Sequence, residues 1–251
     1  MAKGASIKFQ SYGETIPKLL NLMNLQSELK KYDKIVLKPA LSENPEESTS
    51  PEFTEEVLKF ILQNRNPVTE VFIAEGADGS DTYDLFDSLN YKKLAEKYDV
   101  SLIDLNNAET KPVSDYSFLK FSEIEYPSIL SNSFVISIPK LTENEETELS
   151  ASLSSMLGAF PSSHYKGFFS RTKNKIRKWP IKYSIHDILR CKMPDFAIID
   201  ASRQGVILAG LPLEMDKQSA KLLGKEWKSV PYLNLLDVEF SDKEKEQEKE
   251  E

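Results

Sequence analysis

Short runs of aliphatic residues alternate with helix-patterned segments along most of this chain. Polar or turn residues bound each run, which is typical of a strand buried inside a sheet. Strands are therefore predicted at residues 6–12, 34–38, 71–74, 101–105, 134–138, 196–200 and 205–209. Only a few residues separate the last two runs, so they are predicted to form an antiparallel hairpin.

Helical periodicity fills most of the intervals between these strands. Apolar residues recur at i, i+3, i+4 and i+7 over residues 14–31, which predicts an amphipathic helix. Ser50 before Pro51 is typical of an N-cap followed by a first-turn proline. Further helices are predicted in the region that ends at residue 98 and over residues 149–157, 184–190 and 213–223. Strands that alternate with helices indicate crossover connections, so the predicted fold class is α/β, with a mixed, mostly parallel sheet flanked by helices.

The length of the chain and its hydropathy add to this picture. A chain of 251 residues suits one α/β domain, here predicted to span residues 1–240. Residues 241–251 are mostly charged and include no apolar residue, so this tail is predicted to be disordered. No run approaches the roughly 20 apolar residues of a membrane helix, and the N-terminus lacks a signal-peptide core. We therefore expect a soluble, cytoplasmic protein without a membrane span.

Composition restricts the cofactors that the chain could hold. Cys191 is the only cysteine, so an intramolecular disulfide and an iron–sulfur cluster ligated by cysteines of this chain are excluded. We expect Cys191 to be an idle thiol, and His186 to pair with Asp187 or to cap its helix. His164 is the only other histidine, which argues against a histidine-rich zinc site. No metal ligand set is predicted, and the residues identify no other cofactor.

Ionisable residues stand where predicted strands give way to loops. They are Lys38, Glu75, Lys140 and Asp200, and Asp104 lies close to such a position. Because the C-terminal ends of parallel strands lie on one edge of a sheet, where ligands bind, we expect these side chains to converge. Lysines there suit a phosphate or carboxylate, and carboxylates suit a cation, a hydroxyl or proton transfer. Taken singly, each residue is also explained by the solvation of loops.

A basic segment follows the strand at 134–138. Residues 165–182 include seven basic residues and no acidic one, although the chain has a net charge of −8. Such a local concentration of positive charge predicts an anion site, with Arg171, Lys173 and Arg177 as the anion contacts. Aromatic residues interleave with the basic ones, which is also typical of single-stranded nucleic-acid platforms and of anchors for anionic surfaces. We rank a small anion first, a solvated charged loop second and nucleic acid third.

Several short segments of the sequence occur in the same order as the sequence motifs of one protein family. They are Ile35-Val-Leu-Lys-Pro39, Val71-Phe-Ile-Ala-Glu-Gly76, Tyr91-Lys-Lys-Leu-Ala-Glu-Lys-Tyr98, Leu102-Ile-Asp-Leu105, Val135-Ile-Ser-Ile-Pro-Lys-Leu141, Pro194-Asp-Phe-Ala-Ile-Ile-Asp200, and Val206-Ile-Leu-Ala-Gly210 with Pro212 and Asp216. In this order, from about residue 34 to residue 236, the chain resembles the domain of unknown function family 362. The resemblance supports an α/β fold.

The chain also departs from the pattern of that family. Thr142-Glu-Asn144 stands where the family has Lys-Thr-His, and Ser154 and Ser155 stand where it has a lysine and an asparagine. The glycine-rich loop before the last motif is shortened to residues 201–205, and the cysteine clusters that many relatives carry are absent. The resemblance therefore implies the fold more strongly than any activity.

Two functions are consistent with these observations. The first is an enzyme, or a former enzyme, that binds a small phosphorylated or carboxylated molecule at the C-terminal edge of the sheet. Lys38 and Lys140, with Asp200 beside them, would contact the ligand, and Glu75 or Asp216 would act as the acid–base group or as a cation ligand. The alternative is a non-catalytic binding or assembly protein, for which nucleic acid at the basic residues 165–182 is one candidate partner.

Overall fold

The structure is a computed structural model, and it describes residues 3–239. The predicted disordered tail, residues 241–251, lies outside the described residues. The strands are β1 (Gly4–Lys8), β2 (Lys34–Pro39), β3 (Glu70–Glu75), β4 (Ser101–Asp104), β5 (Thr110–Val113), β6 (Ile124–Pro127), β7 (Phe134–Ile138), β8 (Thr142–Asn144), β9 (Glu148–Ser150), β10 (Phe196–Ala201) and β11 (Val206–Gly210).

The α-helices vary from one turn to four. They are α1 (Tyr12–Leu22), α2 (Leu25–Leu29), α3 (Pro51–Asn64), α4 (Thr82–Ser88), α5 (Tyr91–Tyr98), α6 (Ser128–Ser131), α7 (Ser162–Tyr165), α8 (Ile181–Cys191) and α9 (Pro212–Leu222). Short 3-10 helices cover Ser154–Ala159, Asn174–Arg177, Ser202–Gln204 and Trp227–Ser229. Residues 231–239 are helical as well.

One seven-stranded sheet organises these elements, in the order β1-β11-β10-β7-β2-β3-β4. The five strands from β10 to β4 are parallel to one another. β11 runs antiparallel between β10 and β1, and its pairing with β10 confirms the predicted hairpin. The α/β fold with a mixed, mostly parallel sheet is therefore confirmed.

Helices cover both faces of the sheet, because its central strands are apolar on both sides. On one face Ile35 and Leu37 of β2 pack in a core with residues of α1, α2, α3 and α5. On the opposite face Val36 packs with α8, α9 and the residues between β9 and α7. Side chains alternate along a strand, so Lys38 lies on the same face as Val36.

The predicted long helix over residues 14–31 is two helices. α1 ends at Leu22, Asn24 adopts a left-handed conformation with φ of 54°, and α2 begins at Leu25. Asparagine tolerates this backbone region better than most residues, which permits a sharp turn without glycine. Leu25 and Leu29 are buried in the same core as α1, so the apolar spacing continues across the break.

The predicted helix over residues 149–157 is wrong. Residues Glu148–Ser150 form β9, which pairs with β8, and Ser154–Ala159 form a 3-10 helix. Asp216 of α9 accepts hydrogen bonds from the backbone amides of Ser152 and Leu153, at 2.8 and 2.9 Å. A carboxylate from a distant helix thus binds two amides that a local helix would have used, which periodicity cannot reveal.

Candidate functional site

A buried ion pair joins the ends of two neighbouring parallel strands. Lys38 is near the end of β2 and Glu75 is the last residue of β3. Lys38 Nζ lies 3.0 Å from Glu75 Oε2 and 3.2 Å from Oε1, and it donates to the carbonyl oxygen of Ser155 at 2.7 Å. The side chains of Lys38 and Glu75 are 0% and 4% exposed. The structure therefore brings together two of the residues that strand-end reasoning selected.

Gly158 covers this ion pair with its backbone. A Cβ atom at position 158 would overlap Glu75 Oε1 and would lie 2.9 Å from Lys38 Nζ. A Cβ atom at Gly76 would in turn overlap the carbonyl oxygen of Gly158. Two glycines are thus required where the loop after β3 and the 3-10 helix meet over the pair, because no side chain fits between them.

Lys173 is the second buried lysine of the site. Its Nζ donates to the carbonyl oxygens of Gly76 and Gly158, at 2.7 and 3.2 Å, and its side chain is fully buried. Burial lowers the pKa of Lys173 to about 8, although the nearby carboxylates of Glu75 and Asp78 favour its charged form. The sequence predicted Lys173 as an anion contact, but the structure directs its ammonium group to backbone carbonyls inside the protein.

A cavity of about 190 Å³ opens above the ion pair, and we call it the edge cavity. Its walls include Glu75, Gly158 and Arg177, and also Asp78 and Glu146. Arg177 Nη1 lies 2.6 Å from Asp78 Oδ2, and its Nε lies 2.9 Å from Glu146 Oε1. The Arg177 side chain is 35% exposed. Arg177, a predicted anion contact, therefore reaches the cavity, where its guanidinium group already forms ion pairs with two carboxylates.

Asp216 lies behind the site and is fully buried. Besides the two amides of the 152–153 loop, it accepts hydrogen bonds from Ser152 Oγ at 2.5 Å and from Tyr232 Oη at 3.1 Å. Burial raises the pKa of Asp216 to about 6, against the opposing effect of these donors. Asp216 does not line the edge cavity. It holds the loop that leads to Ser155, whose carbonyl oxygen binds Lys38.

The other predicted residues do not share these contacts. Asp200 accepts hydrogen bonds from Tyr12 Oη at 2.8 Å and from its own loop at Ser202 N at 3.0 Å. Burial raises the pKa of Tyr12 to about 12, so this phenol is a donor at neutral pH. Lys140 forms a backbone bridge with Asp200, and its half-buried side chain has no ion pair within residues 3–239. Arg171 is exposed, likewise without an ion pair in the described part of the chain.

The chemistry of helix α8 belongs to a separate cluster. His186 Nδ1 lies 2.7 Å from Asp187 Oδ1, in line with the pairing expected from the sequence. Burial raises the pKa of Cys191 to about 12, so the thiol stays protonated, as an idle thiol would. Within residues 3–239, no three histidine, cysteine or carboxylate side chains cluster as metal ligands do.

Four residues of the site were not selected from the sequence as functional. Asp78 and Glu146 hold Arg177, and Ser155 and Gly158 enclose Lys38. Ser155 did stand out as a departure from the resembling family, which was a signal that its surroundings are specific to this chain. Asp78 gave no comparable signal, because acidic residues in polar loops are usually solvated.

This chain is similar to known proteins in sequence and in fold. The family model described as Domain of unknown function (DUF362) matches residues 35–206. The lactate racemase apoprotein from Thermoanaerobacterium thermosaccharolyticum has a similar fold, with a TM-score of 0.58 and 13% sequence identity. The match covers 89% of this chain and 58% of the racemase chain, so this chain spans little more than half of that protein. No curated protein matches the sequence.

The buried ion pair should dominate the stability of the sheet edge. Lys38→Met leaves the Glu75 carboxylate buried without its counter-charge, so we expect a loss of about 3–5 kcal/mol in the free energy of unfolding. The double variant Lys38→Met/Glu75→Gln should recover part of this loss, because no charge remains unpaired. The matched control is Lys34→Met, whose pair with Glu70 is exposed and should cost less than about 1 kcal/mol. Equal losses in urea unfolding for Lys38→Met and the control would contradict the prediction.

Gly158→Ala should destabilise the protein although alanine is a small residue. The added methyl group overlaps Glu75 and approaches Lys38 in a closed space, so we expect a cost of about 1–3 kcal/mol. The control is Gly13→Ala in helix α1, where the new Cβ would lie 3.8 Å from Glu56 Oε2 and so would fit without a clash. This change should be neutral or stabilising by up to about 1 kcal/mol. Thermal unfolding of the two variants checks the difference, and a Gly158→Ala protein as stable as the wild type would refute it.

Asp216 should make stability depend on pH. Its pKa is about 6 in the folded chain against 3.8 for the ordinary carboxyl group. Between these values the folded chain keeps a proton that the unfolded chain releases, so stability falls as the pH rises from about 4 to about 6. Relative to Asp216→Asn, the wild type should lose about 3 kcal/mol over this window. Urea unfolding of both proteins at each pH measures this, and parallel pH curves would be the contrary result.

Proposed function

This chain belongs to the family described as Domain of unknown function (DUF362), and we propose that it binds a small carboxylated or phosphorylated molecule in the edge cavity. It does so as an enzyme, or as a former enzyme that keeps the binding step. The observation that carries the proposal is the position of the cavity. It lies at the C-terminal ends of β2 and β3, where ligands of parallel α/β sheets bind, with buried charges beneath it and an arginine in its wall.

Arg177 is the proposed anion contact. A guanidinium group presents several N–H donors in one plane and binds carboxylate or phosphate oxygens in pairs. Its partner Glu146 is 37% exposed on the loop between β8 and β9. A surface ion pair of this kind contributes little to stability, so a ligand anion can replace the Glu146 carboxylate at Arg177. Asp78, on the other side of Arg177, keeps the guanidinium in place.

Glu75 is the proposed acid–base group of the enzymatic form. Its carboxylate forms part of the cavity wall, and the Lys38 ammonium group lies beneath it, 3.0 Å from Oε2. Asp216 is assigned a positioning role, since it orders the loop that binds Lys38. In this proposal Lys140, Asp200 and Arg171 stay outside the ligand contacts. The cytoplasmic location predicted from the sequence stays a prediction.

The second candidate is a non-catalytic binding or assembly protein, and the enclosure of Lys38 favours it. Lys38 is fully buried and bonded to Glu75 and to the carbonyl oxygen of Ser155. A lysine in that state cannot touch a ligand unless the 3-10 helix over it moves. The lactate racemase whose fold is similar is an enzyme, but at 13% identity that likeness supports the fold alone.

Isothermal titration calorimetry with lactate, succinate and inorganic phosphate tests the proposal. Arg177→Gln should weaken binding of the preferred anion roughly tenfold or more, because one charge-assisted hydrogen-bond pair is lost. Glu146→Gln should instead strengthen binding a few-fold, because it removes the competing carboxylate. Arg203→Gln is the control, since Arg203 pairs with Glu46 at an exposed position outside the cavity.

The opposite signs of the two cavity variants make this test specific. The proposal fails if none of the anions binds, or if Arg177→Gln and Arg203→Gln bind equally well. Binding without turnover of the bound anion would favour the former enzyme over the enzyme.

A further inference from the structure

Two adjacent phenylalanines project into solvent from the loop at residues 167–172. Phe168 and Phe169 are 95% and 97% exposed, although phenylalanine is among the residues most often buried. Their rings contact each other edge to face, with centroids 4.9 Å apart and planes at 82°. Two adjacent apolar rings exposed to water are unfavourable, and such an apolar patch is typical of a site that binds a protein or a membrane.

The loop holds the two rings outward by its own hydrogen bonds. The backbone amide of Gly167 donates to the carbonyl oxygen of Thr172, and Ser170 N donates back to Gly167 O. The hydroxyl groups of Ser170 and Thr172 lie 2.6 Å apart. Directly after the loop, the Lys173 side chain is anchored in the protein interior. The projecting loop is therefore ordered at its base, and the rings need no rearrangement to meet a partner.

Exposed basic residues flank the tip of the loop on both sides in sequence. Lys166 and Arg171 flank the two rings on either side in sequence, and both are exposed without an ion pair within residues 3–239. Of the seven basic residues at 165–182, Lys173 is buried and Arg177 is held by carboxylates, and no acidic residue lies in the segment. The loop therefore presents uncompensated positive charge next to its apolar tip, and it is complementary to a negatively charged surface.

We propose that the loop at 167–172 is a reversible anchor for anionic lipid surfaces, with Phe168 and Phe169 entering the interface and Lys166 and Arg171 at the level of the headgroups. Rings exposed on nearly every side fit a medium that surrounds them, as lipid does. Basic residues near the surface add attraction to anionic lipids. Within residues 3–239, no helix is long and apolar enough to cross a bilayer, and this anchor requires none.

The ring geometry disfavours single-stranded nucleic acid, the other partner of the basic segment. Bases stack face to face on aromatic side chains along a groove that follows the backbone. Phe168 and Phe169 stand nearly at right angles, so two successive bases cannot stack in parallel on them. Neither ring lies against the protein surface in the manner of a stacking platform, because both are almost fully exposed.

Vesicle co-sedimentation of the full chain tests the anchor. We expect the protein to pellet with vesicles of equal parts phosphatidylcholine and phosphatidylserine, to pellet much less with pure phosphatidylcholine, and to be released by salt. Phe168→Ala/Phe169→Ala should reduce the partition coefficient roughly tenfold or more for each ring removed. Lys166→Gln/Arg171→Gln should reduce it as well and should flatten its dependence on salt.

The matched control removes exposed apolar residues elsewhere. Leu22 and Val68 are 65% and 73% exposed, and Leu22→Ala/Val68→Ala should leave the partition coefficient unchanged. Thermal unfolding of the phenylalanine variant should equal that of the wild type, because the rings contact only each other and solvent. The proposal is overturned if the wild type ignores phosphatidylserine vesicles, or if the phenylalanine and control variants bind alike. It is equally overturned if a single-stranded oligonucleotide binds through Phe168 and Phe169 while vesicles do not.

Discussion

The ion pair between Lys38 and Glu75 is the interaction on which this sheet edge depends. Moving two charges out of water costs several kcal/mol for each ion, and the cost is recovered only when the pair has good geometry and further hydrogen bonds. Lys38 meets this requirement with both oxygens of Glu75 and with the carbonyl oxygen of Ser155. Glu75 also accepts the backbone amide of Gly76 at 2.7 Å. β2, β3 and the 3-10 helix above them are therefore constrained to one arrangement.

Two further buried ionisable groups hold the segment that covers this pair. Asp216 binds the amides at its start, and Lys173 binds the carbonyl oxygen of Gly158 near its end. Burial removes both groups from water, which lowers the pKa of Lys173 and raises the pKa of Asp216. Both shifts favour the neutral form of the group. Such groups are tolerated because backbone donors or acceptors surround them. The same contacts replace the helix that local periodicity predicts at 149–157.

The outer surface of this region has a different character from its interior. Arg177 stands at the boundary, since its guanidinium group lies in the wall of the edge cavity and its carboxylate partners are partly exposed. Beyond it the loop at 167–172 turns its apolar tip and its positive charges toward solvent. Residues of the basic segment thus lie in three different places. Lys173 is buried on backbone carbonyls, Arg177 lines the edge cavity, and the loop at 167–172 projects into solvent. The composition of the segment alone describes them as one patch.

The pattern of apolar residues was sufficient to determine the fold class, because buried strands and amphipathic helices each require a characteristic spacing of apolar residues along the chain. It located β2, β3, β7 and β10 to within a residue or two, and it identified Lys38 and Glu75 as strand-end residues. It failed at the break before Leu25 and at residues 149–157, where the backbone follows a left-handed asparagine and a distant carboxylate. Neither a single backbone conformation nor a single long-range hydrogen bond produces a periodic pattern in the sequence.

The sequence by itself therefore determined the sheet, its mostly parallel order and the edge at which charged residues gather. Only the tertiary structure decided which of those residues meet. Lys38 contacts Glu75, whereas Asp200 bonds to Tyr12 and Asp216 bonds to the 152–153 loop. The tertiary structure also decided that Lys173 points inward while Phe168 and Phe169 point outward. The physical reason is that the direction of a side chain in an irregular segment depends on partners far away in sequence, and no local pattern encodes them.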